Sequence, residues 1–84
     1  MTTETPTREG ADRITRTALL TVAPEAELDT LSPGENLREA LELDSMDFLA
    51  FAEQLSEATG RRIDESDYDR LTTLESCIEF LSGR

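Results

Sequence analysis

The chain has 84 residues, one cysteine, no histidine and a net charge of −11. That length holds one domain with a modest core, and the missing histidine removes the usual general base, every Ser-His-Asp arrangement and, with a lone cysteine, any structural zinc site. The acidic excess lies wholly from Pro24 onward; it repels nucleic acid phosphates and anionic lipid and attracts basic protein surfaces.

Met1 to Gly10 is polar and lacks the apolar segment of a leader peptide, and no apolar run approaches membrane-spanning length. A soluble, cytoplasmic, monomeric protein is expected, with neither nucleic acid nor membrane as partner. Residues 1–7 read as a disordered tail without an apolar anchor, and residues 8–84 as one folded domain.

The first helix is expected from about Arg8 to Ala23, with Ala11, Ile14, Ala18 and Val22 on the buried face and Leu19 and Leu20 off it. Pro24 ends it. A long connection follows to Asp44. It carries Leu28, Leu31, Leu37, Leu41 and Leu43, which should pack back on the helices, because a structureless segment of that length is unusual in a small domain. Ser32-Pro33-Gly34 marks a turn, and Asn36 to Leu41 can form a helical turn capped by Asn36.

The second main helix should run from Ser45 to Thr59, with Asp44 as N-cap, Asp47 three residues on in a capping-box relation and Gly60 as the stop. Phe48, Phe51, Ala52, Leu55 and Thr59 form its core stripe. Met46, Leu49 and Glu53 lie roughly 100–160° away from that stripe. Ile63 reads as buried, and Asp64 to Arg70 as one short helical turn with Tyr68 or Leu71 inward. Asp64, Asp67 and Asp69 lack the glycine and terminal glutamate of a calcium loop, so a solvated acidic turn is expected. The last helix starts at Thr72 or Thr73, with Thr72 and Glu75 as its capping pair and Leu74, Cys77, Ile78 and Leu81 as its buried stripe. Cys77 on that stripe reads as a buried free thiol. The fold class is all-α: a small bundle of three main helices and one short helix, with a long first loop.

Ser45 has three readings: a simple helix cap or start, a phosphorylation site, or the attachment point of a phosphate-linked group. A helix N-terminus favours a bound anion by only about 0.3–1 kcal/mol, and the nearby Asp44 and Asp47 oppose it. A phosphate held here is therefore better covalent than reversibly bound. Ser45 has no base of its own, so a separate enzyme must activate it.

Leu41-Glu42-Leu43-Asp44-Ser45-Met46-Asp47 resembles the attachment motif of acyl carrier proteins, with Met46 where that family usually has leucine. The similarity extends over roughly Arg13 to Leu81. It implies a discrete, non-enzymatic carrier. Ser45 would bear 4′-phosphopantetheine, derived from coenzyme A, in phosphodiester linkage, flanked by Asp44 of the motif. Acyl groups would ride on the arm's thiol as thioesters, without help from Cys77. The resemblance further implies that Met46, Asp47, Leu49, Glu53 and Glu57 form a docking face. The partners would be a phosphopantetheinyl transferase and acyl-loading and acyl-processing enzymes with basic patches.

Three departures stand out. Glu42 replaces a glycine common three residues before the serine, which predicts a looser turn. Ala50 falls where fatty-acid carriers usually have an acid, and Phe48 is bulkier than their usual residue. These point toward polyketide or other specialised metabolism. A fatty-acid carrier, an aminoacyl or peptidyl carrier, and a non-carrier acidic interaction module are the alternatives.

Overall fold

A computed structural model describes residues 6–83. The expected bounds of the tail fall largely on residues 1–5, outside the described residues. At its end Thr7 has a definite role, since its Oγ1 accepts the Gly10 N–H at 3.0 Å and caps the first helix.

The elements are α1 (Arg8–Val22), a 3₁₀ turn (Leu28–Thr30), a four-residue α2 (Leu37–Ala40), α3 (Ser45–Thr59), a 3₁₀ segment (Glu65–Leu71) and α4 (Leu74–Ser82). Among the described residues no strand forms, apart from an isolated bridge between Asn36 and Thr73. The all-α expectation is met. Helix α1 is the spine, packing against both α3 and α4, and the second 3₁₀ segment leans on α4.

The buried face of α1 differs from the sequence expectation. Leu19 is fully buried, and so is Thr15, while Ile14 and Val22 are only half-buried. Thr15 is tolerated because its hydroxyl donates to the Ala11 carbonyl at 2.8 Å, leaving no unsatisfied polar atom. Leu20 points outward, as expected.

The long first connection folds back as anticipated. Leu28, Leu37 and Leu43 are buried, and Leu31 and Leu41 pack half-buried against them. Two backbone bonds stitch it to the start of α4: Leu37 N–H donates to the Thr72 carbonyl at 2.8 Å, and Glu75 N–H to the Pro33 carbonyl at 3.0 Å. The second satisfies an amide of α4's first turn that has no partner inside the helix.

That stitching also decides the cap of α4. Thr73 is the N-cap, and it exchanges bonds with Ser76, each side chain accepting the other's backbone N–H at 3.0 Å. The pair is Thr73–Ser76, one position on from the expected Thr72–Glu75. Phe80, absent from the expected stripe, is buried under the guanidinium groups of Arg61 and Arg70, at 4.4 and 5.0 Å from its ring centre. In the second 3₁₀ segment Leu71 is fully buried and Tyr68 half-buried, and Ile63, just before the segment, is half-buried where a buried position was expected.

Candidate functional site

Ser45 is delivered by a turn built from α2. Asn36 Oδ1 accepts the Glu39 N–H at 3.0 Å and caps the start of that helix. At its end Leu41 N–H donates to the Leu37 carbonyl at 3.0 Å and Leu43 N–H to the Arg38 carbonyl at 2.9 Å. The second bond closes a six-residue Schellman ring. Within the ring Glu42 has a φ of 54°, in the left-handed region where glycine is usual. The sequence had suggested a looser turn for want of that glycine. The turn keeps its left-handed closure, and Glu42 carries the strain. Leu37 and Leu43 are both buried, and these anchors hold the backbone between them.

Asp44 then adopts an extended backbone and caps α3. Its Oδ1 accepts the Asp47 N–H at 2.8 Å, and Asp47 Oδ2 accepts the Asp44 N–H at 3.4 Å. This is the expected capping box, made with two aspartates. Phe48 N–H is taken by the Asp44 carbonyl at 2.9 Å. Ser45 is therefore the first residue of the helix and not its cap, and its side chain is exposed. Among the described residues, the amides of Ser45 and Met46 have no partner. At the other end of α3, Gly60 with φ 68° provides the predicted left-handed stop.

The arrangement offers an exposed hydroxyl, free of cap duty, beside two unpartnered amides at the positive end of a 15-residue helix. The Asp44 and Asp47 carboxylates are drawn back to backbone N–H groups. These residues fit a covalently held phosphate on Ser45.

Along the outer face of α3, Met46 is 73% exposed and Leu49 41%, and Glu53 and Glu57 stand exposed beyond them. Asp47 is half-buried by its role in the cap. Opposite this face, Phe48 is 7% exposed and joins three elements behind the serine. Its ring meets the Tyr68 ring edge-on at 5.4 Å, tilts against Phe51 at 6.1 Å, and lies 5.5 Å from the guanidinium carbon of Arg38. Arg38 did not stand out in the sequence as a site residue. The available signal was its isolation, since no other basic residue occurs between Arg16 and Arg61.

Two other chemistry-bearing groups are spoken for by the fold. Asp64 N–H donates to Asp67 Oδ2 at 3.0 Å, and Asp64 also pairs with Arg62 at 3.3 Å, so these acids close a turn. Cys77 is buried and free, and burial pushes its thiol up from an ordinary 9.0 to about 12.

Comparisons with known proteins agree with this geometry. The family model described as "Phosphopantetheine attachment site" matches residues 16–81. A curated acyl carrier protein of Rubrobacter xylanophilus is 31% identical over 51 residues. That match takes in 61% of this chain and 63% of the relative, so the chain spans less than two thirds of the relative's length. A solved structure of an acyl carrier protein from Enterococcus faecalis superposes with a TM-score of 0.70 at 19% identity, over 92% of this chain and 96% of the other, which establishes the fold.

Proposed function

The chain belongs to the family defined by the phosphopantetheine attachment site, and on that premise we propose that it is an acyl carrier protein, that Ser45 is the attachment residue and that the chain carries acyl groups as thioesters. Family membership implies covalent 4′-phosphopantetheine, and members are carriers, not enzymes. When bound, the arm supplies a thiol at the end of a flexible reach. The chain's own residues supply the hydroxyl, the cap that leaves it free and the surface that partners meet.

The observation that carries the assignment to Ser45 is the division of labour at the start of α3. Asp44 does the capping, and Ser45 is left exposed with no structural duty. The test is incubation with a broad-range phosphopantetheinyl transferase and coenzyme A, followed by an intact mass. The native chain should gain one arm, and Ser45→Ala none.

Met46, Leu49, Glu53 and Glu57 form the docking face in this reading, with Asp47 at its edge. Two apolar side chains exposed on a helix and followed by acids suit a partner surface that is basic around a small apolar contact. The transferase and the acyl-loading and acyl-processing enzymes are the partners that fit. The chain works as a monomer in the cytoplasm, where its free Cys77 stays reduced. Among the described residues no helix is long and apolar enough to cross a membrane.

Specialised metabolism, such as polyketide assembly, is favoured over standard fatty acid synthesis. Support comes from Ala50, an uncharged residue where fatty-acid carriers usually have an acid, and from Phe48, whose ring fills the space between α3 and Tyr68.

A further inference from the structure

We propose that Arg38 is the counter-ion of the phosphodiester on Ser45, a binding residue for the prosthetic arm; the inference rests on Ser45 being the attachment residue. Two anchors hold Arg38 on either side of that serine. Its carbonyl accepts the Leu43 N–H at 2.9 Å, two residues before Ser45. Its guanidinium carbon sits 5.5 Å from the ring centre of Phe48, one helical turn after Ser45. The side chain is exposed, so the stack on Phe48 restrains the group without burying it.

The charge around it gives the stack a purpose. Arg38 is the sole basic residue between Arg16 and Arg61, in a stretch rich in carboxylates. Among the described residues the ion pairs are Arg16–Asp12 and Arg62–Asp64, and Arg38 takes part in neither. A guanidinium that joins neither ion pair and rests on an aromatic face keeps its N–H donors for another acceptor. Attaching a phosphodiester to Ser45 adds one negative charge between Asp44 and Asp47. Arg38 is the cation positioned to offset it, and its planar fork matches the two free oxygens of the diester.

The experiment is a cycle of four species: apo and holo forms of the native chain and of Arg38→Gln, with each holo form verified by intact mass. Thermal midpoints are measured at low salt. An exposed charge pair in a domain of this size should make the apo-to-holo change in Tm more favourable for the native chain than for Arg38→Gln by about 2–5 °C. The difference should collapse near about 1 M salt, and Arg38→Lys should retain part of it. The ³¹P resonance of the arm should also move between native holo and Arg38→Gln holo. Packing lost with the stack on Phe48 lowers apo and holo alike and cancels in the cycle. An equal apo-to-holo change in both proteins, with an unmoved ³¹P resonance, would overturn the assignment of Arg38 while leaving Ser45 intact. Failure of the native chain to form holo protein would instead remove the premise.

Discussion

Asp44 Oδ1 accepts the Asp47 backbone N–H at 2.8 Å, so the start of α3 is capped by the residue next to the serine and not by the serine itself. The consequence is a division between stability and function at adjacent positions. Asp44→Ala should lose about 1 kcal/mol of stability, or roughly 4–8 °C in Tm at this chain length. Ser45→Ala should stay within about 0.5 kcal/mol of the native protein. Thermal unfolding followed by circular dichroism checks both. Equal losses for the two variants would mean that Ser45 has a structural duty after all.

Glu42 in the left-handed region gives a prediction in the opposite direction. A non-glycine residue there costs about 1–2 kcal/mol, and glycine offsets part of the gain through the chain entropy it loses, about 0.5–1 kcal/mol. Glu42→Gly should therefore stabilise the protein by about 0.5–1 kcal/mol and raise Tm by roughly 2–8 °C. A fall in Tm would show that the Glu42 side chain makes contributions that outweigh the backbone strain.

Much of this site was readable from the chain because its determinants are local. Asp44, Asp47 and Gly60 bound α3 within one turn of its ends, and the bounds came out as expected. Asn36 likewise announced α2. The misread features depend on distant partners. Thr72 and Thr73 are equally good caps in isolation, and the choice is made by Leu37, which takes the Thr72 carbonyl from another part of the chain. Phe80 lies off the stripe of α4, and it is buried because Arg61 and Arg70 reach it from elsewhere. On α1, the neighbours Ala18, Leu19 and Leu20 leave the register of the buried face open by about one residue, and packing against α3 and α4 resolves it.

Cys77 provides a pH prediction. Its thiol is raised from 9.0 to about 12 by burial, so the folded protein holds that proton where the unfolded chain has released it. The contribution to stability is fully present below pH 9.0 and is lost as pH climbs from there toward 12. At about pH 8, a thiol reagent should leave folded apo protein unlabelled and label the denatured chain once. Holo protein should take one label while folded, on the arm. Rapid labelling of folded apo protein would contradict the burial of Cys77.

Leu49→Arg tests the docking face. The side chain is 41% exposed and outside the core stripe, so helicity and Tm should change little. Acylation by the cognate loading enzyme should fall about tenfold or more, the effect of placing a cation against a basic partner surface. Unchanged acylation would take Leu49 out of the interface.

The most direct test of the central claim is to map the arm. The native chain, treated with coenzyme A and a broad-range phosphopantetheinyl transferase, is digested, and the peptide containing Ser45 is fragmented in a mass spectrometer. The account predicts one phosphopantetheine, on Ser45, and none anywhere on Ser45→Ala under the same treatment. An arm on a different serine, or no arm on a folded native chain with several transferases, would contradict it.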